Sequence, residues 1–416
     1  MVLLRYRLSK LYTVCGLLLR HLKLYSYKYL FIVFFLVTTG CMVLRRQFSH
    51  VVFSDPLGIY PWHSCNSKDS SGLALCCPNL TNLQPKSTPR ESELTFLDLM
   101  NTFPMVCEGS WKPEGCRPFQ NVAVLIPYRN RPSQLISILH RLHTFLQHQK
   151  LAYTIYVIEQ LGETPFNRGL LLNIGVREAL IRDPTVDCFI FHDVDLLPEN
   201  SANLYICDES LRHLAAGVDE FRFHVPFEHY AGGVSSLSKE NVLKINGFPN
   251  RYWGWGNEDD ELSARCFAHE LKLSRPAASV GRYHAMRHVK STRTSGHYEN
   301  FLGFRGYMND GLDALTNASY SIVQDPVLNE ILPDGQSAEQ RGSPRCSSYW
   351  WFDVIALKGA DKPISPWQES IMSAAAKVSV YTHLSVDVTP VSLQQTQPRE
   401  RTKESLLWFL YFYGWI

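Results

Sequence analysis

From about Asn121 onward, unbroken apolar runs alternate with segments whose apolar residues recur at helical spacing. VAVLIPY (122–128) has the length and composition of a buried strand, and the following RNRPSQLISILHRLHTFL carries its apolar residues on a helical period. TIYVIEQ (154–160) reads as the next strand and GLLLNIGVREALI (169–181) as the next helix. CFIFHDVDLLP (188–198) is a third buried strand that breaks into a carboxylate-bearing turn. Strand, helix, strand, helix, strand at this spacing predicts a parallel sheet with crossover helices. Ligands of such sheets gather beyond the strand C-termini, where Arg129, Arg131, Asp193 and Asp195 fall. Further on, DDELSARCFAHELKL (259–273) has a helical period and KVSVYTHLSVDV (377–388) alternates like a strand. Residues 47–95 and 324–376 show little periodicity, and no internal repeat is present.

The N-terminus has a different pattern. YLFIVFFLVTTGCMVL (29–44) is a stretch of 16 residues without a charge, bounded by Lys28 and by Arg45-Arg46. As a helix it spans about 24 Å, enough for a thin bilayer when flanking side chains snorkel. Residues 1–28 carry Arg5, Arg7, Lys10, Arg20, Lys23 and Lys28 and no acid, which places the N-terminus in the cytosol. The expectation is a cytosolic tail (1–28), a transmembrane signal anchor (29–44) and a lumenal stem (45–75). The apolar C-terminal end, ESLLWFLYFYGWI, is too short to span a bilayer and is expected to pack on the protein.

A lumenal location gives nine of the 11 cysteines, all but Cys15 and Cys41, an oxidising compartment. No Cys/His spacing suits structural zinc. Sequons at Asn79 and Asn317 fit the same compartment. A net charge of +2, with no run of five basic residues, gives no support to a nucleic-acid partner.

The candidate chemistry is concentrated in a few stretches. Asp193-Val194-Asp195 offers hard oxygen ligands for a divalent cation on a diphosphate, provided the chain turns so that both carboxylates converge. Arg129, Arg131 and Arg168 offer guanidinium forks for phosphate, and Phe166 a face for a base. RYWGWGNEDDEL (251–262) sets Trp253 and Trp255, each followed by a glycine, ahead of Glu258, Asp259, Asp260 and Glu261. Indole faces pack on sugar rings, and carboxylates accept bonds from sugar hydroxyls. An ionised Asp among them can act as a general base, while the glycines permit a loop to move. Helix capping alone needs one or two acids, not four.

VAVLIPYRNR, FNRGLLLNIGV, FIFHDVDLLPEN, YAGGVSSLSKENVLKINGFPNRYWGWGNEDDEL, GRYHAMRH and NDGLDAL occur here in the order characteristic of the β-1,4-galactosyltransferase family. The chain resembles that family over residues 76–323, and the resemblance resumes at YTHLSVDV. It implies a catalytic domain at 76–323, an insertion at 324–376, a returning strand at 377–391 and a tail at 392–416. The implied fold is α/β, a glycosyltransferase A-type nucleotide-sugar-binding fold with a mainly parallel central sheet and flanking helices, preceded by the transmembrane helix. The implied enzyme is a Golgi-resident, single-pass type II, inverting galactosyltransferase. It uses UDP-galactose and Mn²⁺ and acts on glycans ending in N-acetylglucosamine.

Carried over by position, Arg129, Arg131, Phe166 and Arg168 would hold UDP, with Asp193 and Tyr230 facing the donor. Asp195 and His288 would bind metal. Trp255 would line the donor–acceptor boundary, Glu258 and Asp260 would bind sugar, and Asp259 would be the base. The same resemblance implies the disulfides Cys188–Cys207 and Cys77–Cys116, with Cys76 the rival to Cys77. Tyr230, bulky where N-acetylgalactosamine users carry a smaller residue, favours UDP-galactose over the alternative UDP-N-acetylgalactosamine. Most members carry a Met ligand three residues before the metal-binding His; this chain has Ala285. Met286 or His284 could serve in its place, and a silent sugar-binding relative is a further alternative.

Overall fold

The computed structural model describes residues 109–162 and 164–288 almost continuously. It also describes short stretches at 51–53, 72–78, 102–106, 308–317, 321–324, 353–356 and 382–387, and a few single positions between 60 and 99. The expected tail, anchor and sequon at Asn79 lie outside the described residues. Among the described residues no helix is long and apolar enough to cross a membrane.

The strands run in chain order from β1 (Val51–Phe53) and β2 (Ser110–Trp111) to β3 (Asn121–Tyr128), β4 (Ala152–Leu161), β5 (Cys188–His192) and β6 (Leu196–Pro198). Next come β7 (Leu211–His213), β8 (Gly217–Val218), β9 (Val234–Ser238), β10 (Leu273–Arg275) and β11 (Arg282–Ala285). The last three are β12 (Ser321–Gln324), β13 (Asp353–Ala356) and β14 (Thr382–Asp387). The helices are α1 (Pro132–His148), α2 (Arg168–Arg182), α3 (Lys239–Lys244) and α4 (Glu258–Ala268).

The main sheet has the order β1-β10-β7-β9-β5-β3-β4-β14, with β2 on β4. It is parallel except at β9, which runs antiparallel to β5 and β7, and at β2. β1 comes from within 45–75, the segment read as a stem, and pairs with β10. β14 comes from within 377–391 and pairs along all six of its residues with β4. A second sheet, β6-β11-β8, lies off this path.

Alternation along the strands builds two cores, one on each face. Val122, Val124 and Ile126 of β3 join Leu135, Ile138 and Leu142 of α1 on one side. Ala123 and Leu125 join Leu171, Leu172 and Ile174 of α2 on the other. Gly175 lets α2 settle close, since a Cβ there would lie 2.9 Å from Ile158 of β4. α1 starts with Pro132 at its first turn, and the Asn167 side chain caps α2 by accepting from the Leu170 amide at 3.0 Å. Because β3 has β4 on one side and β5 on the other, with α1 and α2 on opposite faces, a crevice opens beyond the C-terminal ends of β3 and β5.

Three disulfides close among the described residues: Cys65–Cys77, Cys76–Cys116 and Cys188–Cys207. The last is as expected, but Cys116 pairs with Cys76, correcting the Cys77–Cys116 assignment. Ala74 to Cys76 lies extended beside Arg117, with the Cys76 amide donating to the Arg117 carbonyl at 2.8 Å. Consecutive side chains of an extended segment point opposite ways. Cys76 therefore meets Cys116, their Cα atoms 5.0 Å apart, and Cys77 turns towards Cys65.

Candidate active site

The crevice receives side chains from six places in the chain. Beyond β3, the Arg129 guanidinium lies 5.3 Å from the Phe166 ring centroid and donates to the Thr164 carbonyl at 2.6 Å. Arg131 Nη1 donates to Asp195 Oδ2 at 2.8 Å, and its Nη2 donates to His288 Nδ1 at 3.1 Å. His288 Nε2 is 2.8 Å from the same Asp195 oxygen, so the imidazole proton sits on Nε2.

Strand pairing brings these groups together. β11 runs antiparallel to β6 with Ala285 opposite Leu196, and the Met286 amide donates to the Asp195 carbonyl at 2.8 Å. His288, two residues on, thereby reaches the Asp195 carboxylate. The expected turn after β5 is present, but it does not make the two carboxylates converge: Asp195 meets Arg131 and His288, whereas Asp193 meets Arg168. The Met286 side chain packs in the apolar core. His284 Nδ1 sits 2.5 Å from Asp219, whose other oxygen accepts from the Ala285 amide at 2.9 Å. Among the described residues no three His, Cys, Asp or Glu side chains form a metal-binding group.

On the other side of the crevice Arg168 joins two distant motifs. Its Nε donates to Asp193 Oδ1 at 2.7 Å, and its Nη1 lies 3.7 Å from Glu258 Oε1. Burial raises the Asp193 carboxyl above its usual range against the pull of Arg168. For Asp195 burial acts upward too, but the His288 bond and Arg131 outweigh it and the carboxyl is lowered. Glu258 is pushed up to about 8 by burial, reinforced by Asp259 and opposed by Arg168.

The four consecutive acids begin α4, where the helix dipole favours negative charge by about 0.3–1 kcal/mol each. Gly254 (φ 87°), Gly256 (φ 108°) and Asn257 (φ 74°) take left-handed conformations that turn the chain sharply into that helix. The Gly254 amide donates to the Phe166 carbonyl at 2.7 Å, and Trp255 is left 62% exposed. The four carboxylates then separate in role. Glu258 faces Arg168, and Asp260 accepts from Asn257 Nδ2 at 2.8 Å. Asp259 reaches Gly232, where a Cβ would lie 2.2 Å from its Oδ2 and 2.5 Å from the Tyr230 hydroxyl. Glu261 is fully buried away from the crevice, bound to Arg251, Arg265 and the Tyr252 hydroxyl. Arg251 also pairs with Asp310, so Glu261 serves the framework.

Most residues singled out in the sequence are thus drawn around one crevice, but Glu261, Met286 and His284 turn elsewhere. Sequence reasoning missed His213, Arg275, Gly232 and Asp219, all close to these groups. A buried histidine or arginine in a short strand has no signature in the sequence. Asp310 did have a signal, because it lies in the NDGLDAL motif.

Residues 77–208 match the family described as the N-terminal region of glycosyl transferase group 7, and residues 212–289 match the N-terminal domain of galactosyltransferase. The chain is 44% identical over 246 residues to rat β-1,4-galactosyltransferase 4, covering 58% of this chain and 71% of that protein. The chain belongs to the β-1,4-galactosyltransferase family. It is also 44% identical over 234 residues to human β-1,4-galactosyltransferase 3, which is 54% of this chain and 58% of that one. Among solved structures it is similar to a mutant of Drosophila β-1,4-galactosyltransferase 7 in complex with manganese, UDP-Gal and xylobiose. The identity there is 27% and the TM-score 0.42, covering 49% of this chain and 86% of that one. Ala285 supplies no side-chain donor beside the Asp195–His288 pair.

Proposed function

We propose that this galactosyltransferase moves galactose from UDP-galactose to the 4-hydroxyl of a terminal N-acetylglucosamine, forming a β linkage by one in-line displacement. The observation that carries the reading is Arg168, which lies between Asp193 and Glu258. It makes the turn after β5 and the acidic start of α4 two walls of one site. Arg129 over Phe166 offers a cation and a ring for the nucleotide. Asp259 accepts the proton of the attacking hydroxyl, as a carboxylate held at a helix N-terminus can. Asp260, oriented by Asn257, and Glu258 bind sugar hydroxyls, and exposed Trp255 covers the acceptor ring.

Mn²⁺ suits the donor chemistry of Asp195 and His288, one carboxylate and one imidazole with N and O 2.8 Å apart, once the Nε2 proton between them is lost. Bound there, the ion would neutralise charge on the departing UDP. Arg131 bonds both ligand side chains, so it keeps their charge compensated and their rings and oxygens oriented. Tyr230 is wedged edge-to-face by His213, Phe221 and Phe227, at ring distances of 5.4, 6.1 and 5.5 Å. A phenol so enclosed cannot yield space to an N-acetyl group, which favours UDP-galactose. The anchor sequence at 29–44 supports a Golgi, type II location with the catalytic domain lumenal, and three disulfides suit that lumen.

The test is transfer by the detergent-solubilised full chain from UDP-galactose and UDP-N-acetylgalactosamine to N-acetylglucosamine, with and without Mn²⁺. Metal-dependent transfer selective for galactose is expected, with Asp259→Asn lowering kcat by about 10²–10⁴ while UDP still binds. UDP binding without any transfer would favour the silent, sugar-binding reading that Ala285 suggests.

A further inference from the structure

The turn that presents Tyr230 is held from behind by an unusual arrangement. Four consecutive carbonyls, from Tyr230 to Gly233, each receive a donor from outside the turn. Arg275 Nη2 donates to the Tyr230 carbonyl and Ser235 Oγ to that of Ala231. His213 Nε2 donates to the Gly232 carbonyl at 2.9 Å, and the Asp193 amide to that of Gly233 at 3.1 Å. The turn is therefore shaped by its surroundings, chiefly by side chains of β7 and β10, rather than by its own backbone bonds.

His213 and Arg275 act as a unit. β10 runs parallel to β7 with Ser274 beside Arg212, which sets Arg275 next to His213 at the strand ends. Arg275 Nε donates to His213 Nδ1 at 3.0 Å, which forces the imidazole proton onto Nε2 and aims it at Gly232. His213 is fully buried and Arg275 nearly so. Burial, then the Arg275 charge, holds the imidazole well below its usual range, so it stays neutral in that tautomer. The His213 ring also stands edge-on to Tyr230 at 5.4 Å. One imidazole thus fixes both the ring of Tyr230 and the peptide two residues on.

We propose that His213 and Arg275 are positioning residues for donor-sugar selection, holding the Tyr230–Gly232 turn rigid so that the phenol excludes a larger substituent on the donor sugar. The inference rests on Tyr230 facing the donor, as proposed above. Neither residue touches the donor; both act through the turn.

The test compares kcat/KM for UDP-N-acetylgalactosamine with that for UDP-galactose in the full chain. His213→Asn keeps an acceptor for Arg275 but falls short of Gly232, whereas His213→Gln restores a donor near the Nε2 position. Losing a buried bond of about 1 kcal/mol predicts a ratio raised roughly 5- to 10-fold in His213→Asn. His213→Gln should return it towards the wild-type value. Tyr230→Leu is the control that must move the ratio directly, and Arg275→Gln repeats the test should the His213 variant fail to fold. An unchanged ratio in a folded His213→Asn, with Tyr230→Leu shifted, overturns the inference. An unchanged ratio in both overturns the donor role of Tyr230 and this inference with it. No transfer by the wild type from either donor overturns the proposed function instead.

Discussion

Replacing Gly232 by alanine isolates the meeting point of Asp259 and Tyr230. The added Cβ would lie 2.2 Å from Asp259 Oδ2, where ordinary contact begins at 3.4 Å, so that oxygen must recede by 1.2 Å. The Tyr230 hydroxyl, at 2.5 Å, must move by 0.9 Å. The Asp259 oxygen ends a flexible side chain, but the Tyr230 ring, whose Cζ would lie 2.7 Å away, is wedged by His213, Phe221 and Phe227; Gly232 is not among the glycines with positive φ, so the backbone itself accepts alanine. Overpacking against that ring should cost about 1–3 kcal/mol of stability. Catalysis should not escape, since a misplacement of about 1 Å at the reacting groups costs about 10²-fold. That corresponds to roughly 2.7 kcal/mol in the barrier. The assay is steady-state galactose transfer to N-acetylglucosamine, paired with a thermal melt and UDP binding. We expect kcat to fall about 10²-fold at a temperature where the melt shows the variant still folded. Wild-type kcat in Gly232→Ala would refute the placement of Asp259 as base. Gly233→Ala should lose more stability, because its φ of +80° strains alanine and a Leu196 carbon lies at 2.6 Å.

Glu261→Gln should destabilise the protein by about 3 kcal/mol in urea unfolding, the lower end for breaking a buried pair, because Asp310 stays 3.7 Å from Arg265. A loss under about 1 kcal/mol would show that Arg265 is compensated without Glu261. Glu258, whose carboxyl is raised from 4.5 to about 8, keeps in the folded state a proton that the unfolded chain has lost. Stability should therefore fall as pH rises through that window, and Glu258→Gln should flatten the slope. Equal slopes in unfolding midpoints from pH 5 to 8 would contradict it.

Much of this protein is determined locally and so is readable along the chain. The β3, α1, β4, α2, β5 succession follows from runs of apolar residues and from helical spacing, because burial on two faces imposes those periods. Arg129, Arg131, Asp193 and Asp195 follow once the sheet is parallel, because strand C-termini are where its loops converge. The glycine-spaced tryptophans and four acids mark the opposite wall of the site by composition alone. Tertiary structure decided what depends on pairing across long separations. Cys76 rather than Cys77 meets Cys116 because the segment lies extended beside Arg117, and a one-residue difference reverses side-chain direction. Four adjacent acids look equivalent in sequence. Only the rotation of α4 sends Asp259 to Gly232, Glu258 to Arg168 and Glu261 into the buried arginines. The hold of His213 and Arg275 on the Tyr230 turn is the same kind of fact. It exists because parallel strands 62 residues apart end side by side, and no local pattern encodes that neighbourhood.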